Sequence, residues 1–199
     1  MAKSKSILPH GFKAQAERIS EAYRKELGLT IFCPLDAFRL AEYLEVPIVC
    51  ITKTLSQDDL VKLIGTKSAP KDFSATRMIN CDGDNIIIHN SNNSPYRQQS
   101  DIMHELAHVI RNHQTSIEVK RLCYLLNLQS TNAVQEEEAK YLGACLQMTR
   151  AGLFWAFKRN FTYEQISAHF SASLDMVQYR VNSSGVAKQL EYKARKNGD

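Results

Sequence analysis

Residues 102–110, Ile-Met-His-Glu-Leu-Ala-His-Val-Ile, set two histidines and a glutamate into a helix that is otherwise apolar nearly all round. Ile102, Met103, Leu106, Ala107, Val109 and Ile110 leave no broad polar face, so any fold of this chain must bury this helix. Burying a carboxylate between two imidazoles is costly unless the groups find partners. His104 and His108 are four apart and project from one face about one turn apart. That spacing lets both imidazoles bind one cation at zinc–nitrogen distances. Glu105 lies beside the same face, where its carboxylate can take a proton from metal-activated water without ligating the metal. The bland alternative is a chance His-Glu-x-x-His, which placement on a buried helix disfavours. Ser100 or Asp101 is expected to help begin the local helical turn.

A catalytic zinc takes three protein ligands and keeps one open position. The run Gln135-Glu136-Glu137-Glu138-Ala139-Lys140 opens a later helix whose apolar stripe includes Ala139, Leu142, Cys145 and Leu146. Glu137 falls opposite that stripe. Glu136 and Glu138 flank it, and periodicity does not choose between them. At least one of the three carboxylates is expected in a solvated first turn, where it favours the helix dipole. Small Ala139 and Gly143 would let this helix approach the Ala107 region closely. His113 is turned off the shared histidine face, and His89 ends a predicted strand. Each is expected as a hydrogen-bonded structural histidine before a ligand or substrate contact. Tyr96 and Arg97, about two turns before His104, are candidates for oxyanion or substrate contacts, or for packing at the helix start.

The rest of the chain supplies the frame. Helical spacing predicts a helix over 12–27 stopped by Gly28, and a second opened by Pro34 and Asp36 with Phe38, Leu40 and Leu44 in its stripe. Residues 46–52 are rich in β-branched side chains and predict a strand; a short helix is expected near 56–64. Residues 74–81 and 85–89 predict two strands joined by Asp82-Gly83-Asp84, a hairpin signal, with Ile86-Ile87-Ile88 as a central, covered strand. Helices are expected over 96–113, 116–127 and 133–148, with shorter ones near 151–159, 163–169 and 173–181. Helices, a small antiparallel sheet, then more helices predict an α+β fold.

Composition sets the class. With 199 residues, 44% hydrophobic and 23% charged, the chain is that of a soluble globular protein. Its formal charge of +4 is carried largely at the two ends, which fits solvated termini better than a nucleic-acid surface. Five scattered cysteines with no Cys-x-x-Cys pair suggest neither a disulfide framework nor a thiolate zinc site. No apolar core of a signal peptide and no span-length apolar stretch is seen, so a cytoplasmic location without membrane contact is expected.

The paired motifs IIIHNSNNSPYRQQSDIMHELAHVIRNH and EEEAKYLGACLQMT, with the opening GLTIFCPLDAFRLAEYLEVPIV, resemble the ImmA/IrrE family of metallopeptidases. The resemblance covers residues 12–150. It implies a zincin-like minimal metallopeptidase domain over 1–150 with a Zn2+ cofactor; beyond it, helical spacing predicts a helical extension over 151–199. It implies His104 and His108 as metal ligands, Glu105 as general base, and, through the family's register, Glu136 as third ligand. Lys140, Leu142, Gln147 and Thr149 depart from the family's Asn, Phe, Leu and Pro. Family members often act on helix-turn-helix regulators, which implies a protein substrate such as a repressor. The implied function is a zinc-dependent endopeptidase; the alternative is a metal-stabilised module that binds a repressor or DNA without proteolysis.

Residues 163–181 have the cadence of two helices around a tight turn, with Ile166, Phe170, Leu174, Val177 and Val181 apolar. This resembles a helix-turn-helix whose second helix would offer Gln178 and Arg180 to DNA. Packing against the peptidase core is the preferred reading.

Overall fold

The computed structural model describes residues 7–54, 56, 58, 73–80, 82–113 and 132–196. Among them the chain is mixed α+β, with nine helices and a three-stranded sheet. The helices expected over 56–64 and 116–127 lie outside, or almost wholly outside, the described residues.

Helix α1 (Phe12–Glu26) buries Phe12, Ala16, Ser20 and Arg24, four apart, on one face. It begins after Gly11 at φ 80, and Gly28 at φ 68 ends it; both are left-handed positions that suit glycine. Helix α2 (Ala37–Tyr43) is capped by Asp36, whose side chain accepts from the Arg39 N–H at 2.9 Å.

Strand β1 (Ile48–Cys50) is shorter than its β-branched run suggests, because helix α3 (Ile51–Thr54) follows at once. The ladder gives the reason: Cys50 pairs with His89, the last residue of the neighbouring strand, so Ile51 has nothing to pair with. Strands β2 (Ala75–Ile79) and β3 (Asn85–His89) form the expected antiparallel hairpin. At its turn the Asn80 side chain accepts from the N–H groups of Asp82 at 3.0 Å and Asp84 at 2.7 Å. Strand order is β1-β3-β2, so β3 is central as expected, with Ile87 fully buried and Ile86 and Ile88 half-covered. The sheet is not wholly antiparallel: β1 pairs with β3 in parallel, Ile48 opposite Ile87. A hairpin announces itself in a turn, whereas a parallel partner arrives through a long crossover with no local signature.

Helix α4 (Pro95–Ile110) carries the histidine pair. It starts nearly two turns earlier than Ser100 and Asp101, at the Ser94 cap, and Ser100 instead accepts from the Ser173 N–H at 3.0 Å. Helix α5 (Ala133–Gln147) is capped by Asn132 and buried almost continuously from Glu138 onward. Then come α6 (Arg150–Lys158), α7 (Tyr163–Phe170), α8 (Leu174–Ser184) and α9 (Val186–Lys196). Thr149, at the family's proline position, caps α6: its Oγ1 accepts from Gly152 N–H at 2.8 Å and donates to Ile31 O at 2.7 Å.

One core cluster gathers Phe12, Leu40, Ile87, Ile102, Leu106 and Leu142; a second gathers Met148, Leu153, Ile166, Phe170, Val177 and Val181. Helix α8 packs on α5. Arg180 of α8, offered above to DNA, is instead fully buried and donates to Met148 O at 2.8 Å. No helix among the described residues is long and apolar enough to cross a membrane.

Candidate metal centre

The α4–α5 contact sets the site. A side-chain Cβ at Gly143 would stand 3.1 Å from the Met103 carbonyl oxygen and 3.2 Å from the His104 Cα and N. The close approach therefore falls at His104, one turn before the Ala107 region expected from sequence. Because the obstructing atoms are backbone, Gly143→Ala must push the helices apart. We expect it to cost about 1–3 kcal/mol in a denaturant titration, as overpacked cores do, and to weaken metal binding with it.

This approach brings Glu136, one turn into α5, over the histidine pair. Donor atoms of His104, His108 and Glu136 all lie within 4.8 Å of one another. His104 Nε2 is 3.2 Å from His108 Nε2 and 3.3 Å from Glu136 Oε2; His108 Nε2 is 3.6 Å from Glu136 Oε1. Ligands 2.0–2.1 Å from a tetrahedral zinc stand about 3.3 Å apart, so these spacings fit one small cation with a fourth position open. Burial first, then the neighbouring His104, lowers the His108 pKa to about 4, which keeps it a neutral imidazole with a lone pair to give. The hydrogen bond from His104, opposed by burial, lowers the Glu136 carboxyl.

Glu105, close enough to His104 and Glu136 to feel their charges, is anchored to the sheet. Its Oε2 accepts from the Arg77 backbone N–H of edge strand β2 at 2.9 Å. Burial pushes its pKa above the usual carboxylate value, with His104 opposing. Sequence reasoning missed the Arg77 contact, and no signal could have revealed it, since a backbone donor leaves no trace in residue type.

The three glutamates part company. Glu136 joins the histidines, while Glu137 accepts from the Tyr179 hydroxyl at 3.0 Å. Glu138, 6% exposed, lies 3.0 Å from His113 Nε2 and 3.1 Å from Arg111 Nε. All three carboxylates thus have partners, while Glu136 stands in the first turn as expected, with its side chain 42% exposed. His113 is hydrogen-bonded, as expected, with its Nδ1 3.0 Å from His108 Nδ1. His89 departs from expectation: its buried Nδ1 has no hydrogen-bond partner among the described residues, and Phe38 meets its ring edge-on. Tyr96 is exposed in the first turn, and Arg97 donates to Ser74 Oγ at 3.0 Å and pairs with Asp101 at 3.6 Å.

Residues 63–182, which include every donor above, match the peptidase M78 family model, described as the IrrE N-terminal-like domain. The chain belongs to that family. The family is one of peptidases, and the His104–His108–Glu136 group is a possible metal-binding site of this chain. No curated protein matches this IrrE-like chain. Among solved structures it is similar to a Mycobacterium tuberculosis transcriptional regulator, with a TM-score of 0.53 and 14% identity. That match covers 87% of this chain but 47% of the regulator, so the IrrE-like chain spans about half of that protein, and the likeness is one of fold.

Proposed function

We propose that this IrrE-like chain is a zinc endopeptidase acting on a regulatory protein, such as a helix-turn-helix repressor. The observation that carries the reading is the spacing of His104, His108 and Glu136, with the Glu105 carboxylate adjacent and held on the Arg77 amide. Two imidazoles and one carboxylate form a donor set suited to zinc. Zinc bound there supplies Lewis acidity toward water and the substrate carbonyl. Glu105 accepts the proton of the attacking water and returns it to the leaving amine. Its Arg77 hydrogen bond fixes the carboxylate's direction while that proton moves.

A cavity of about 420 Å³ lies alongside, lined by Arg97, Asp101, Lys140, Asp175, Met176 and Tyr179. Asp101 and Arg97 precede His104 by three and seven residues, and Lys140 follows Glu136 by four, so the cavity continues the faces that carry the donors. Its charges of both signs suit a polypeptide segment. The regulator named among solved structures is in keeping with a regulatory role. DNA binding through α8 is less well supported, since Arg180 is buried.

Purified protein should carry about one zinc per chain by elemental analysis, and Glu136→Ala should lose most of it. Retention of full zinc by that variant would remove Glu136 from the ligand set. Incubation with a repressor encoded beside this chain should give site-specific fragments that a chelator suppresses. Tight binding of an intact repressor without fragments would favour the non-proteolytic alternative.

A further inference from the structure

Behind the donor triad lies a buried polar chain that the proposed chemistry leaves unused. His113 and Glu138 are each 6% exposed. His113 Nε2 stands 3.0 Å from Glu138 Oε2, and His113 Nδ1 stands 3.0 Å from His108 Nδ1. Arg111 Nε donates to the same Glu138 oxygen at 3.1 Å, and an Arg77 guanidinium nitrogen donates to the His113 carbonyl. Both ends of the His113 ring are thus engaged, and its backbone is held from β2.

The contacts fix the protons. An ionised carboxylate only accepts, so His113 Nε2 carries the hydrogen toward Glu138. The remaining nitrogen of a neutral His113 then accepts, and its donor is His108 Nδ1–H. That leaves the His108 lone pair on Nε2, the atom 3.2 Å from His104 Nε2 and 3.6 Å from Glu136 Oε1. The opposite arrangement, with His108 Nδ1 accepting, would place a proton on Nε2 and point it into the metal position.

We infer that Glu138 and His113 are positioning residues, a carboxylate–imidazole relay that locks His108 with its hydrogen on Nδ1 and its lone pair on the metal. The inference rests on the metal reading of His104, His108 and Glu136. Partners that orient a ligating histidine from behind also raise its basicity as a ligand. Here the carboxylate acts through a second imidazole, and Arg111 holds the carboxylate in turn.

The test is zinc affinity of the full chain by competition with a chromogenic chelator. His113→Phe keeps the ring's bulk and removes both hydrogen bonds; it should weaken zinc about 10–100-fold. In His113→Asn the amide oxygen stands near the place of Nδ1, so this variant should recover most of the affinity. Glu138→Gln, which keeps an acceptor but loses the charge, should fall between them. Long-range ¹H–¹⁵N spectra of the zinc-loaded wild type should show His113 protonated on Nε2 alone. Wild-type affinity in a folded His113→Phe, equal losses in the Phe and Asn variants, or a His113 protonated on Nδ1 would each overturn the relay. A wild type that takes up no zinc overturns the metal reading itself, whereas zinc binding indifferent to His113 overturns the relay and leaves that reading standing.

Discussion

Glu105→Gln is expected to lower the rate of substrate cleavage by about 10²–10⁴-fold, the usual worth of a general base, while the protein still takes up about one zinc per chain. The two readouts separate because Glu105 is not among the three donors and its substitute is nearly isosteric. The amide oxygen of glutamine can still accept from the Arg77 N–H, so the side chain's anchor on strand β2 stays in place. What disappears is the ability to take up a proton. Equal cleavage by this variant and the wild type would end the mechanism; equal loss of zinc would recast Glu105 as a structural member of the site. The pH profile gives a second handle. A carboxylate works as a base only when ionised, and burial raises the Glu105 pKa above the ordinary carboxylate value. The wild-type rate should therefore fall as pH drops through that raised value, and residual cleavage by Glu105→Gln should lack this limb.

The site was legible in unequal parts, for physical reasons. His104, Glu105 and His108 stand on one helix at fixed spacing, so a helical period alone brings their side chains together. Glu136 comes from another element, and the period of its helix left Glu136 and Glu138 equivalent. Their difference lies in what α5 faces at each side: the histidine pair beneath Glu136, and His113 with Arg111 beneath Glu138. Sequence spacing has no access to that. The β2–β3 hairpin was legible because Asp82-Gly83-Asp84 is a local signal, while the parallel pairing of β1 depends on contacts remote in the chain. The replaced family positions also acquire reasons only in three dimensions. Thr149 caps α6, the Lys140 ammonium lies 4.4 Å over the Tyr179 ring, and Gln147 Nε2 donates to Ser171 O at 3.2 Å.

Arg180→Ala should destabilise the fold by about 3–5 kcal/mol, the cost of breaking a buried ion pair by removing one partner. Helix α5 ends inside the protein, where the carbonyls of its last turn have no intrahelical partner. The chain supplies three from elsewhere: Ser20 Oγ donates to Cys145 O at 2.6 Å, Arg24 Nη2 to Gln147 O at 2.9 Å, and Arg180 Nε to Met148 O at 2.8 Å. Two guanidinium groups at a helix C-terminus also match the sign of its dipole. Arg180 is itself satisfied by Glu17, which is also the acceptor for the Arg150 N–H at 3.0 Å, and by the Tyr141 hydroxyl at 3.4 Å. Alanine leaves the Met148 carbonyl and the Glu17 carboxylate short of a donor in one step. Lysine cannot reach all three acceptors from one fork, so Arg180→Lys should recover only part of the loss. The loss should appear as a lower denaturation midpoint at unchanged slope. Glu17→Gln should cost less in the Arg180→Ala background than alone, the mark of a coupled pair. A surface arginine used for DNA behaves otherwise: its loss changes stability by no more than about 0.5 kcal/mol and weakens binding in a salt-dependent way. The same substitution therefore decides whether the second helix of this helix-turn-helix-like pair is a reader of DNA or the clamp on the end of the helix that carries Glu136.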